Sequence, residues 1–523
     1  MGMVAPHQRI ASAFVVCFGR HGDVTRTAQQ RGVCRQWIYR EADWVLATLQ
    51  GAAQRQEIDR LRQRVGELQS QQAHWQQQQA RAVVLDRDKQ AEFACVGQAL
   101  GVSLPELHTL LEVLLPGQAA SQATLGRWAQ AAGRRAAALL EVVDEQTRPL
   151  VRQALADEIY VCQAVLMVVE PESLCWVSGR RLDGPLTGPS WEQEFGRLPA
   201  LEQVARDGGN CLGRGLADVN QRRQAQGLPP VADQLDHFHL LRQGGRLVGR
   251  AERAARGAFR KLEAAEAELA RRQRQGQSQT GWPSRVRACR AQAERAMDRW
   301  GQRQRVWQQV QAAVQPFTAE GELNTRARAQ AALAQWLPEL PDAEFAAVKR
   351  QLQRPQALAY LDEIRRKLAS LPVAAELREA ALCQEGLRRR PQQLQAETAQ
   401  AAALRGVLLA CAVVLAQAGE AGRQAAEAVA ALLRSSWRAS SLVECVNSVL
   451  RMQQARHRKL SQGLLDLKRL YWNCHVFRTG RRRGQSPYQR LGVPWPEGLR
   501  WWDVLKWAPE QLRNQLSTCK RAG

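Results

Sequence analysis

Two aspartates carry the first chemical signal: Asp157 in LADEIYVC and Asp207 in VARDGG. Each lies in or at the end of a short apolar run rich in strand-forming residues. Carboxylates brought together repel each other unless a cation sits between them. Mg2+ suits that position, a hard ion that takes carboxylate oxygens and keeps waters for chemistry. The glycines that follow Asp207 leave room for a nucleic-acid backbone to approach and permit a turn, although a plain Asp-Gly turn has the same appearance. Glu158 adjoins Asp157, and side chains alternate along a strand. Only one of the two can face a shared ion, and Asp157 is preferred.

Elements that could bring these acids together follow from the hydrophobic patterning between Leu155 and Leu241. LADEIYVC, AVLMVVEP and SLCWVSGRR read as three strands joined by short connections. A glycine- and proline-bearing loop leads to a helix around Trp191 to Leu198. LEQVARDGG reads as a fourth strand, CLGRGLADVNQRRQAQGL as a helix, and VADQLDHFHLL as a short fifth strand running into a helix. Three sequential strands make an antiparallel meander, and strands separated by helices join in parallel. This β-β-β-α-β-α-β-α order is that of a ribonuclease H-like core, in which the first and fourth strands are neighbours. The expected fold class is therefore an α/β ribonuclease H-like core with a mixed five-stranded sheet, embedded in a mainly α-helical chain.

Composition bounds the partners. The chain has 523 residues, 45% of them hydrophobic, with 74 Lys and Arg against 50 Asp and Glu for a net charge of +24. That excess points to a polyanion, nucleic acid first and an anionic membrane surface second. The twelve cysteines are scattered without a Cys-x-x-Cys pair, so reduced thiols and a cytoplasmic setting are expected. The longest apolar run, GVLLACAVVLA from Gly406 to Ala416, is too short to span a bilayer and reads as a buried helix. No membrane partner is expected.

Upstream of the strands, GDVTRTAQQRGVCRQWIYREADW (Gly22 to Trp44) places Ala28, Gly32 and Ile38 at helix-turn-helix spacing: a small residue, a turn glycine and an apolar lock. The second helix would present Arg35, Gln36, Tyr39 and Arg40 to DNA; a plain helical hairpin is the simpler alternative. In IDRLRQRVGELQSQQAHW, Ile58, Leu61, Val65, Leu68 and Trp75 form an a/d seam interrupted by Gln72, able to pair two protomers or to pack on its own chain. Gly97, Gly101 and Leu107 repeat the helix-turn-helix offsets. Ser121 is placed to cap a helix that carries Arg127, Arg134 and Arg135.

Beside these readings stands a resemblance. ADEIYV, VARDGG, DQLDHFHLL, SSLVECVNSVLR and YWNCHVFRTGRRRGQSPYQRLGV are similar to blocks of the DDE transposases of bacterial insertion sequences, over roughly residues 150–245 and 435–493. The resemblance implies a third carboxylate on a later helix, at Glu444. Asn447 and Arg451 share its helical face. It implies Asp157, Asp207 and Glu444 as catalytic residues and ligands of two Mg2+ ions, with Mn2+ as a substitute. One ion would activate the attacking oxygen and the other stabilise the leaving 3′ oxygen. Asp236 and His239, in DHFH, are read as supporting residues, with Asp236 an alternative second acid. Arg478, Arg481, Arg482 and Arg483 form a basic cluster among Tyr471, Trp472 and Tyr488 that suits DNA through phosphate contacts and stacking; a solvated charge run beside core aromatics is the alternative. Trp501, Trp502 and Trp507 are expected to anchor the tail.

The domain plan that follows is a helix-turn-helix module over 1–50, a coiled-coil segment over 51–82 and a second helical module over 83–148. The core occupies 149–245 and 431–493, split by a helical insertion over 246–430, with a tail over 494–523. The implied function is a bacterial, cytoplasmic and nucleoid-associated DNA transposase, a homodimer or higher oligomer that cleaves element ends and joins them to target DNA. A catalytically silent DNA-binding regulator and a structure-specific nuclease are the alternatives.

Overall fold

The computed structural model describes residues 5–49, 52–81, 85–455, 460–496 and 498–522; the expected boundaries at 50/51 and 82/83 lie outside them. The chain divides into two compact units, Met1–Asp86 and Arg87–Gly523.

The first unit holds α1 (Pro6–Phe18), α2 (Asp23–Gln30), α3 (Arg35–Leu49) and α4 (Ala52–Arg81). Ala28 and Ile38 are buried and Gly32 takes a positive φ of 65°, as the helix-turn-helix spacing anticipates. The buried Glu41 fastens the three short helices. It accepts from Ser12 Oγ at 2.7 Å, Arg31 at 2.7 and 2.9 Å, and Trp37 Nε1 at 2.9 Å. Satisfying a buried carboxylate this fully is what makes its burial tolerable. The 30-residue α4 leaves Leu61, Val65, Leu68 and Trp75 exposed.

The second unit opens with α5 (Arg87–Leu100), α6 (Leu104–Leu114) and α7 (Gln122–Thr147). Gly101 takes a φ of 97°, and a Cβ on Gly97 would lie 2.2 Å from Leu107, so the second set of offsets also marks a close helix crossing. Ser121 caps α7 through Thr124 N. A mixed sheet follows: β1 (Gln153–Val161), β2 (Gln163–Val169), β3 (Trp176–Arg181), α8 (Gly188–Gly196), β4 (Gln203–Arg206), α9 (Asn210–Ala225) and β5 (Ala232–Leu235). Its strand order is β3-β2-β1-β4-β5, with β1–β2 and β2–β3 antiparallel and β1–β4 and β4–β5 parallel. The sequence of elements and the pairing of β1 with β4 agree with the patterning.

A helical stretch then runs through α10 (His237–Arg274), α11 (Trp282–Ala313), α12 (Arg326–Trp336), α13 (Asp342–Leu352), α14 (Ala359–Ala369), α15 (Ala375–Arg388), α16 (Pro391–Gln395), α17 (Ala399–Gln417) and α18 (Gly419–Arg434). Because α10 starts directly after β5, it passes residue 245 without a break. The long α10 and α11 pack closely where Gly244 meets Trp307. The chain ends with α19 (Val443–Asn447), α20 (Arg451–Ala455), α21 (Gln462–Cys474), α22 (Pro487–Leu491), α23 (Trp501–Val504) and α24 (Pro509–Ala522).

Both faces of the sheet are covered, as strand alternation requires. Ala154 and Ala156 of β1 join a core with residues of α7, α8, α9 and α21; Leu155, Ile159 and Val161 join another with Val443, Val446 and Leu450. The buried Arg469 of α21 binds Asp144 of α7 and the Trp176 carbonyl of β3, crosslinking three elements. The tail tryptophan Trp502 is buried in the first of these cores.

The apolar run of α17 departs from its expected burial. Only 11% of its most apolar window is covered, and Val407, Leu409 and Val413 are exposed. Its apolar residues lie all around the helix, whereas its long neighbours α15 and α18 cover one stripe that includes Ala401 and Leu415. Among the described residues it is the one helix long and apolar enough to cross a membrane.

Candidate active site

Asp157 and Asp207 meet where two parallel strands stop pairing. Ala156 of β1 stands beside Arg206 of β4 in the last paired position, and each aspartate is the next residue. Asp157 shares its face of β1 with Leu155 and Ile159, the face on which α19 packs. Asn447 of α19 reaches across it and donates Nδ2 to Asp157 Oδ2 at 3.0 Å. Burial first, and then the Asp207 carboxylate, pushes the Asp157 carboxyl up to about 7; Glu444 adds to the rise and His239 opposes it. Two of the acids singled out in the sequence, Asp207 and Glu444, distant along the chain, therefore act on the third, Asp157.

Glu158 points to the opposite face, where Trp191 Nε1 of α8 donates to it at 3.1 Å. Its carboxyl is also pushed up to about 7, by burial and then by Asp207. Asp207 is felt from both faces because it stands at a strand end. Its Oδ1 accepts from Gly209 N at 2.9 Å. The glycines beside it are needed for space. Neither has a positive φ, so the expected turn requirement is absent. Instead, a Cβ on Gly209 would lie 2.9 Å from Asp207 Oδ1 and 3.1 Å from Glu158 Oε1, and one on Gly208 would lie 2.6 Å from Gln351 Nε2.

Glu444 lies in the first turn of α19, partly exposed, and pairs with Arg451 at 2.8 Å. Glu444, Asn447 and Arg451 share one face, as their spacing anticipates, although a 3-10 turn at 448–450 interrupts the helix. Asp236 is fully occupied. It caps α10 by accepting from Phe238 N at 2.6 Å and His239 N at 3.2 Å, takes His239 Nδ1 at 2.8 Å and Ser440 N at 2.9 Å, and accepts from Ser440 Oγ. Burial opposes its ionisation, but these donors hold its carboxyl below the usual range. With so many protein donors, Asp236 is a poor metal ligand and a good anchor. The hydrogen bond that His239 donates to Asp236 raises the His239 pKa, with smaller contributions from Asp157 and Asp207.

A hard divalent cation fits this donor set. The carboxylates repel one another, and among the described residues the buried Asn447 Oδ1 has no hydrogen-bond partner, a state that costs about 1–3 kcal/mol unless something positive meets the oxygen. Among the described residues, no three His, Cys, Asp or Glu side chains are already drawn together as a metal cluster; Glu444 would have to leave Arg451.

The other sequence candidates are distributed as follows. Arg35, Gln36, Tyr39 and Arg40 are all exposed on α3, and Arg127 is exposed on α7 with its guanidinium 3.0 Å from Thr124 Oγ1. In the C-terminal cluster Arg483 is exposed, and Arg481 pairs with Glu172 at 3.5 Å and lies over Trp437. Arg482 donates to the carbonyls of Glu172 and Pro171 and so holds the β2–β3 connection. The aromatic platform expected there is not free: Tyr488 is buried against Trp495, Tyr471 meets Trp501 edge-on, and Trp472 donates to the Leu174 carbonyl. The patterning missed the buried Arg206, which binds Asp233 at 2.7 Å through both Nε and Nη2 and the Asp207 carbonyl at 2.9 Å. A charged residue inside an otherwise apolar strand was the available signal.

Comparison of this chain with protein-family models, with curated proteins and with solved structures finds no match in any of the three.

Proposed function

We propose that the chain is a DDE-type DNA transposase whose sheet is a ribonuclease H-like core. The observation that carries the reading is the strand order β3-β2-β1-β4-β5, with Asp157, midway along β1, and Asp207, just past the end of parallel β4, each next after the last paired position, and the Glu444 helix packed on the face of Asp157. Asp157, Asp207 and Glu444 would hold Mg2+ or Mn2+, which supplies charge neutralisation of a scissile phosphate and an acidified water. The chain's own groups position that chemistry. Asn447 fixes the Asp157 carboxylate, Arg206 fixes the backbone at Asp207, and Asp236 orients His239 toward the acids. No Ser-His-Asp or Cys-His nucleophile is invoked. The substrates are the ends of a mobile element and then target DNA, attacked first by water and next by the freed 3′-hydroxyl. Handling two ends together calls for a homodimer or larger assembly, and the exposed seam of α4 supports one.

One observation favours a second reading, a DNA-binding regulator that no longer cuts: the Glu444 carboxylate is paired with Arg451. The deciding experiment takes, as labelled duplexes, the inverted repeats that this reading expects beside the reading frame and incubates them with Mg2+. Cleavage by the wild type and its loss in Asp207→Ala are expected. Binding without cleavage by the wild type supports the regulator, and equal cleavage by both proteins refutes the site.

A further inference from the structure

We propose that the outer face of α10 is a binding track for the backbone of duplex DNA, leading away from the carboxylate site. The proposal rests on the reading of the chain as a DNA-acting protein and adds the surface that would hold the duplex. Arg242, Arg246, Arg250, Arg253, Arg260 and Lys261 are all exposed. At about 100° per residue they fall within an arc of roughly 100° on one side of the helix. The opposite side is the packed one, where Leu240, Gly244, Leu247, Ala251, Ala258 and Leu262 are buried.

Pairing separates these six from Arg256, Arg271 and Arg272 of the same helix, while Arg274 at its last turn donates to the Ala270 carbonyl. Arg256 binds Glu252, and Arg271 and Arg272 bind Glu268. Among the described residues none of the six has an acidic partner; Arg242 lies over the Phe238 ring at 5.6 Å. A surface whose role is only to keep a long helix in water does not need its cations sorted in this way, because interspersed pairs serve equally well. A row of unpaired guanidinium groups without interspersed acids suits a row of phosphates.

Position and length agree with this use. The track starts one turn after His239, which lies close enough to feel Asp157 and Asp207. From Arg242 to Arg260 it extends about 27 Å at 1.5 Å per residue, roughly eight base pairs of duplex at 3.4 Å each. An anionic membrane is a weaker partner: apart from the exposed Phe238 beneath Arg242, the large apolar residues of α10 face inward, leaving little on the track to enter a bilayer.

The test measures the affinity of the full chain for a duplex of about 30 base pairs over 50–200 mM salt. It compares wild type with the triple variant Arg246→Gln, Arg250→Gln, Arg253→Gln. A control loses the same charge from paired arginines elsewhere in the insertion: Arg290→Gln, Arg366→Gln, Arg423→Gln. If each track arginine meets one phosphate, the slope of log affinity against log salt falls by about 2.7 in the track variant and by less than 1 in the control. Equal changes in the two variants, or no change in the track variant, overturn the track. If the wild type binds no duplex, the broader reading falls with it. Loss of binding to vesicles of phosphatidylserine and phosphatidylcholine, with the DNA slope unchanged, assigns the face to a membrane and also overturns the proposal.

Discussion

Neutralising Asp157 should strengthen the metal-free fold while abolishing catalysis. In the folded chain its carboxyl is pushed up to about 7, from an ordinary value near 3.8, by burial and by Asp207. A carboxyl with a raised folded value binds more protons folded than unfolded, so stability falls as pH rises between the two values and stays low above them. At about 1.4 kcal/mol for each tenfold change in proton affinity, keeping Asp157 ionised above pH 7 costs at most about 4 kcal/mol. Water entry and local movement reduce this to roughly 1–2 kcal/mol. Asp157→Asn removes the charge and retains an acceptor for Asn447 Nδ2. In EDTA at pH 8 the variant should melt roughly 1–2 °C above wild type. At pH 5, where the folded wild type already holds the proton, the gain should shrink to less than half. Adding Mg2+ at pH 8 should raise the wild-type midpoint and leave the variant nearly unchanged. A variant that melts below wild type at pH 8, or that gains as much from Mg2+, would refute the idea that repelling acids await a cation.

Two further outcomes follow from packing. Gly244→Ala would place a methyl 2.1–2.6 Å from the buried Trp307 ring and should cost about 1–3 kcal/mol in urea unfolding; Gly257→Ala, with open space around it, should be neutral or stabilising by up to about 1 kcal/mol. In α4, β-branched Ile58 and Val65 alternate with Leu61 and Leu68, the arrangement that favours two parallel strands, and the seam is largely exposed. The double change Leu61→Asp, Leu68→Asp should therefore halve the mass seen by light scattering, and an unaltered mass would show that the copies meet elsewhere.

Where one local force dominates, the sequence was readable. Alternating apolar residues marked five strands in the right order, and Ala28, Gly32 and Ile38 marked a helix crossing that depends on close approach and one positive φ. What stayed hidden depends on who the neighbours are. Nothing in GVLLACAVVLA says how many helices will pack against it, and only one stripe of it is covered. Tyr488 and Trp472 near a run of arginines resemble a stacking platform, yet contacts formed by remote β3-flanking residues and the tail hold them. The turn role expected of Gly208 and Gly209 is corrected for the same reason. Gln351, Glu158 and Asp207 crowd them, and two of those three are distant in sequence.

The same dependence on remote partners explains how a long helical insertion can separate Asp207 from Glu444 without scattering the site. Departure and return of the insertion are joined at one spot. His237 N donates to the Arg438 carbonyl at 2.9 Å, and Asp236 takes the Ser440 backbone N–H at 2.9 Å. Fixing the return at Ser440 sets the start of α19 three residues later, which places Glu444 and Asn447 over β1. A pinned loop contributes to the site through its ends, and its closure entropy grows only slowly with length, so helices could be added between the pins at little cost to the geometry of the acids. Asp236 is central to this arrangement because one carboxylate caps α10, orients His239 and holds the returning strand of chain. Its complete set of hydrogen bonds, which makes it unsuited to bind metal, is what fits it to keep the other acids in register.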